Sequence, residues 1–171
     1  TIEKLHCYSA KPITMSDSDG FILDREGITP EKLDFVKELK NVRRGRISEY
    51  VKEVKSAIYT PTDKRLPYNP LWHVGGAQCV FPSATENEVN FEDATNMAQD
   101  GVFVCSEGSN MSTTPGGIMV YFANNFLYGP AKAANVGGVT VSRFEMSQDS
   151  QGIFWNRDKV DNELRKNMLE V

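Results

Sequence analysis

Four short runs of this sequence gather small, hydroxyl and amide side chains: SDSDG at 16–20, PSATENE at 82–88, EGSNMSTT at 107–114 and GPAKAANVGG at 129–138. None holds a histidine or a cysteine. Such runs offer hydrogen bonds and stacking room rather than groups that exchange protons, the chemistry of a cradle for a flat, polar cofactor. Gly137 and Gly138 lack Cβ, so backbone amides there can come close to a flat or anionic group, and a helix starting beside them would aim its positive end at it.

Each residue also has a plain structural reading. Glycine pairs mark ordinary turns. Thr85 and Thr114 serve as helix caps, Asn87 and Asn110 as turn formers, and Asp17 and Asp19 as hairpin-turn residues. The basic run KNVRRGR, Lys40 to Arg46, reads as a solvated helix end. Folded back beside SDSDG, it would instead offer Lys40 and Arg46 to a phosphate.

Position favours the functional reading, because every run follows a short apolar segment: ITM at 13–15, QCVFP at 78–82, VFVCS at 102–106 and FLY at 126–128. In doubly wound sheets the ligand lies across the carboxyl ends of the strands, where these runs would fall. ITM and FIL at 21–23 make a hairpin around SDSDG. A helix opens at Thr29 and Pro30 and carries Leu33, Val36 and Leu39. Ile47, Tyr50, Val51 and Val54 predict an amphipathic helix over GRISEYVKEVKSA, 45–57. Residues 60–77, with their prolines and the tripeptide LWH, read as an exposed surface excursion. Thr85-x-x-Glu88 predicts a capping box for a helix through Ala94, Met97 and Ala98. Thr114 and Pro115 open a further helix, another follows GPAKAANVGG, and Val160, Leu164 and Met168 give the last. The alternation calls for a mainly parallel sheet wrapped by helices.

At 171 residues, 40% hydrophobic and 25% charged, the chain has the make-up of one globular domain. A net charge of −4 argues against nucleic-acid and membrane-surface partners in general. Cys7, Cys79 and Cys105 are odd in number and lack any CxxC pair, and there are two histidines, so no metal is expected and a reduced, cytoplasmic setting is. No run is long enough to span a bilayer, and the N-terminus lacks a signal-peptide layout.

The runs also carry a resemblance. SDSDG, the KxxRxGRxxEY pattern of 40–50, PSATENE, EGSNMSTT, GPAKAANVGGVTVSRFEM and the closing WNRDKVDNELRKNM resemble the coenzyme-binding domain of the hexameric glutamate dehydrogenases. The match runs in order over nearly the whole chain, apart from 60–77. It implies a Rossmann-type, doubly wound α/β fold that holds NADP, with NAD as the other cofactor open to it. Together with a separate substrate domain, such a fold oxidises L-glutamate to 2-oxoglutarate and ammonium within a homohexamer. Asn110 and Asn135 match positions that hold the nicotinamide ribose and carboxamide. Ala84 and Thr85 match residues lining the cofactor, and Val139 and Ser142 match those that contact the side-chain end of the substrate. Asp17 and Ser18 belong to the SDS form of the turn common in NADP-using members, with Lys40 and Arg46 placed to clasp the phosphate. Glu86, Ser112 and Arg143 stand where the family has Gln, Pro and Gly.

No GxGxxG or GxGN occurs in the sequence. The family places that loop and its strand just ahead of the helix beginning here at Thr1, and its catalytic lysine and aspartate in the substrate domain. The resemblance therefore implies a partial dinucleotide-binding domain over 1–171, a fragment without the first strand, the substrate domain or the C-terminal helices. A non-catalytic truncated product, acting as a binding or assembly module or without function, is the alternative. An amino-acid dehydrogenase for apolar side chains is a third reading, opposed by Ser142.

Overall fold

A computed structural model describes residues 1–170. The chain runs α1 (Ile2–Cys7), β1 (Thr14–Asp17), β2 (Gly20–Leu23), α2 (Pro30–Asn41), a 3-10 turn (Ile47–Glu49) continuing into α3 (Tyr50–Glu53), and β3 (Ile58–Pro61). It continues through a 3-10 turn (Pro70–Trp72), β4 (Cys79–Val80), α4 (Phe91–Gln99), β5 (Val104–Ser106), α5 (Pro115–Ala123) and β6 (Leu127–Gly129). Three helices close it: α6 (Ala131–Ala134), α7 (Val136–Gln151) and α8 (Arg157–Leu169).

The strands form two sheets. β4, β5 and β6 pair parallel, as the alternation of strand and helix requires. β1, β2 and β3 pair antiparallel, the first two as the hairpin expected around SDSDG. The cause is local: Asp17 pairs with Gly20 across a two-residue connection, and so short a link admits only an antiparallel hairpin.

β3 was hidden in the sequence by the helical period before it. The helix expected over 45–57 ends at Glu53, because Val54 turns to extended backbone (φ −106°, ψ 97°). Ile58, Tyr59 and Thr60 are strand formers that pair with β2, and Pro61 is tolerated because β3 is an edge strand. The excursion at 60–77 is likewise not all exposed. Leu71 and Trp72 are buried, and the Trp72 indole Nε1–H donates to the Glu88 carbonyl (3.2 Å). Asp93 accepts from the Asn69 amide at 2.6 Å and tethers this segment to α4.

Helix starts follow their caps. Thr29 Oγ1 accepts from Lys32 N with Pro30 in the first turn of α2, and Thr114 does the same for α5 through Gly117 N. α4 starts later than expected: Asn90 and Asp93 form its capping box, not Thr85 and Glu88.

Two cores result. Ile22, Ile28, Leu33, Val36, Ile47 and Tyr50 pack behind the antiparallel sheet. Val89, Ala94, Met97, Cys105, Tyr121 and Phe126 lead the core behind the parallel one. Each such aliphatic side chain stabilises by roughly 1.5–3 kcal/mol on full burial. Asp24 is buried in the first core with its carboxylate satisfied by Lys32 Nζ (2.7 Å), Tyr50 OH (3.0 Å) and Ser56 Oγ (3.2 Å). Burial opposes its ionisation, but these hydrogen bonds outweigh that and hold the carboxyl below its ordinary value. Among the described residues no helix is long and apolar enough to cross a membrane.

Candidate functional site

β1 and β4 each have one unpaired edge, and both line a cavity of about 720 Å³ between the two sheets. Leu5, Val36, Leu71, Trp72 and Val102 give it an apolar interior. At the carboxyl ends of β1 and β4 it meets Asp17 and Lys40 on one side and Ser83 and Ala84 on the other. The first two runs singled out in the sequence thus face each other across one opening.

At the β1 rim the basic segment does fold back beside SDSDG. Lys40 Nζ donates to Asp17 Oδ2 (2.8 Å) and to the Gly45 carbonyl (3.2 Å). Asp17 also accepts from the Ile47 and Asp19 amides. Burial opposes ionisation of Asp17, yet Lys40 and the two amides outweigh it and keep the carboxyl low. Arg46 Nη1 donates to Ser18 Oγ (2.8 Å), and its Nε lies 3.2 Å from Asp19 Oδ2. Both turn carboxylates are therefore engaged by cations, while Ser18 and Arg46 remain exposed.

The PSATENE turn is closed by Glu88, whose Oε2 accepts from the Ala84 and Thr85 amides (3.0 and 2.9 Å). Glu88 does not open a helix, although the spacing Thr85-x-x-Glu88 predicts one. It builds a loop instead, and the exposed Thr85 stands on that loop. Ser109 Oγ donates to the Thr85 carbonyl (3.2 Å), linking this rim to the next. Gly108 makes the approach feasible: its amide donates to the Pro82 carbonyl at 2.7 Å, and a Cβ there would overlap the Ser83 hydroxyl. Ser112 is buried with its hydroxyl bonded to Ser109 Oγ (2.7 Å).

Asn135 Nδ2 donates to Asn110 Oδ1 at 2.9 Å, joining the third and fourth runs. Gly137 and Gly138 are not in a turn, as expected from sequence, but in the first turn of α7 behind Asn135, and no side chain caps that helix. A Cβ on Gly138 would meet nothing within 4 Å, so the space beside it is open. Val139 and Ser142 lie further along α7, three residues apart on one turn of helix and both exposed, Val139 at 71%.

Beneath these loops lies Glu107, which the sequence reading passed over. It is 2% exposed at the end of β5. Its signal was a single acidic residue closing an apolar strand. Burial, and then the Glu107 carboxylate, push the Tyr128 phenol upward. Cys105, buried in β5, has its thiol pushed up to about 11 chiefly by burial, which favours the protonated, weakly nucleophilic form. Among the described residues no group of three or more histidine, cysteine or acidic side chains could hold a metal ion.

Known proteins resemble this chain in sequence and fold. Residues 1–171 match the family described as Glutamate/Leucine/Phenylalanine/Valine dehydrogenase. The chain is 44% identical over 171 residues to the NAD(P)-specific glutamate dehydrogenase of Xylanibacter ruminicola, covering 100% of this chain and 37% of that protein. It is 45% identical over 172 residues to the NADP-specific glutamate dehydrogenase of Helicobacter pylori, covering 100% of this chain and 38% of that protein. The crystal structure of Plasmodium falciparum glutamate dehydrogenase matches with a TM-score of 0.83 at 38% identity, over 98% of this chain and 34% of that one. The chain spans a little over a third of the length of the curated relatives it matches.

Proposed function

The chain belongs to the glutamate/leucine/phenylalanine/valine dehydrogenase family, and from that premise we propose that it is the coenzyme-binding part of an NADP-preferring glutamate dehydrogenase. The observation that carries this reading is the continuous rim. Asp17 and Lys40 face Ala84 across one cavity, and hydrogen bonds lead on from Thr85 through Ser109 to the Asn110–Asn135 pair.

Each residue then has a task. Lys40 and Arg46 clasp the 2′-phosphate, with Ser18 as a neutral partner. Ala84 and Thr85 line the cofactor beyond it. Asn110 and Asn135 hold the nicotinamide ribose and carboxamide through amides that both donate and accept. Val139 packs against the substrate chain and Ser142 offers its hydroxyl to the distal carboxylate of glutamate. A nicotinamide held there would supply the hydride acceptor for the α-carbon of L-glutamate, the oxidation that with one water gives 2-oxoglutarate and ammonium. The proton-transfer groups belong to a substrate domain outside these residues, within a homohexamer.

The preference for NADP follows from the ion pairs at the first rim. A free acidic residue at that place would take the ribose 2′-hydroxyl of NAD and repel a phosphate. Here Lys40 and Arg46 already compensate Asp17 and Asp19, so neither turn carboxylate stands unpaired before an incoming phosphate.

The cavity is the place for a further parallel strand between β1 and β4, supplied by sequence outside residues 1–171. That strand would complete a Rossmann-type, doubly wound sheet and set a glycine-rich phosphate loop at its carboxyl end, beside Asp17, Lys40 and Ala84. A non-catalytic binding or assembly module is the second reading, since the open edges and exposed apolar side chains of α7 and α8 would suit it.

The test is a chimera in which this chain replaces the aligned segment of the Helicobacter pylori relative. Glutamate-dependent reduction of NADP, with higher kcat/KM than for NAD, is the expected result. A folded chimera that binds neither cofactor would refute the assignment.

A further inference from the structure

Three acidic side chains with little exposure lie inside this protein, and two have evident structural tasks. Asp24 pairs with Lys32, and Asp93 caps α4. Glu107 has no cation beside it among the described residues. Burying a carboxylate without a cation is costly, so its hydrogen bonds must account for it.

Those bonds go to two different loops. Oε1 accepts from the Thr113 amide at 2.9 Å, and Oε2 accepts from the Ala131 amide at 2.9 Å. Thr113 lies three residues after Asn110, and Ala131 lies four residues before Asn135. The Glu107 amide also donates to the Gly129 carbonyl (3.0 Å), so both backbone and side chain of this residue reach the fourth run. Above the carboxylate, the two loops meet again through the Asn135–Asn110 hydrogen bond. A fork with two acceptor oxygens is what two amide donors from separate loops require. Glutamine has one acceptor and would set its own N–H against one of the donors.

We infer that Glu107 is a positioning residue for the nicotinamide end of the cofactor, setting the spacing of the Asn110 and Asn135 loops from beneath. The inference rests on the proposed role of the two asparagines. Small displacements of such contacts are expensive, since about 1 Å of misplacement can cost on the order of 100-fold in rate.

The experiment uses the active chimera with Glu107→Gln, Asn110→Ala, Asn135→Ala and the Glu107→Gln/Asn110→Ala double variant. Asn110→Ala and Asn135→Ala test the underlying reading by themselves: if neither weakens use of NADP, that reading falls. If they do weaken it, Glu107→Gln is expected to lower kcat/KM for NADP by about 30- to 100-fold, while KM for glutamate changes by less than about threefold. In the Asn110→Ala background the same change should cost clearly less than in the wild type, because one of the two contacts it positions is already gone. Equal losses in the two backgrounds, or no loss in either, would overturn the positioning role. Glu107→Asp, which keeps the charge but reaches only one amide, guards against a simple packing defect and should fall between wild type and Glu107→Gln. If neither Glu107 variant gives a cooperative thermal transition, the residue serves folding and the proposal is wrong.

Discussion

Lys40 and Arg46 differ in how free they are to meet a ligand. Lys40 is partly enclosed, with Asp17 and the Gly45 carbonyl on its ammonium, whereas Arg46 is exposed and holds Ser18 and Asp19 at the surface. In the chimera, Arg46→Ala should lower kcat/KM for NADP by roughly tenfold and leave NAD nearly unchanged, the loss of one charge-assisted contact at a solvated site. Lys40→Ala should do the same and also lower the melting temperature, because it strips Asp17 of its cation. Equal effects on both cofactors would reduce the basic run to a solvated helix end. Asp24 gives a pH prediction at the same scale. Its folded-state carboxyl sits below the ordinary value of 3.8, so its contribution is complete above that pH and is lost as pH falls through the depressed value. Asp24→Asn should destabilise by about 3 kcal/mol at pH 7, since it leaves Lys32, in a largely buried site, with the Gly27 carbonyl but no counter-charge. Urea unfolding of the chimera at pH 7 and pH 3 would show the gap between variant and wild type narrowing at the lower pH. A gap of constant size would mean that Asp24 does not titrate with folding.

At the scale of elements, the unpaired edges of β1 and β4 are the main liability. A bare strand edge is a template for pairing with another chain. Cys79 reports on this place, for it lies on β4, is exposed and lines the cavity. Maleimide should modify Cys79 in the isolated chain and be excluded in the chimera, where a neighbouring strand covers the edge. Cys105, fully buried in the next strand and with its thiol pushed up to about 11, should react in neither without denaturant. Modification of Cys79 at the same rate in both proteins would count against a strand between β1 and β4.

For the whole molecule, exposed apolar side chains on the last two helices and the link between them set the expectation. Val139, Met146, Phe154 and Leu169 are 71%, 69%, 94% and 82% exposed. A surface with such side chains, together with the open edges of β1 and β4, should associate. The 171-residue chain alone should sediment as concentration-dependent oligomers, melt over a broad range and show no glutamate-dependent reduction of NADP. A monodisperse monomer with one sharp transition would contradict the reading of a partial domain, and turnover by the chain alone would contradict the placement of proton transfer elsewhere.

The sequence by itself determined the helices that carry their own signals. Thr29–Pro30 and Thr114–Pro115 open helices where local cap chemistry puts them, and the apolar period of α8 needs no partner to be read. It also marked all four rim runs, because hydroxyl and amide residues after apolar strands are a local pattern. The tertiary structure alone decided which runs meet. Thr85-x-x-Glu88 satisfies the spacing of a capping box, yet Glu88 closes its own loop while Asn90 and Asp93 start the helix. Trp72 looked exposed among prolines until the carbonyl of Glu88 took its indole N–H. Glu107 carried no motif, since the amides it joins lie 6 and 24 residues away in sequence. Hydrogen bonds over such separations depend on where the strands bring the loops, and no local propensity encodes that.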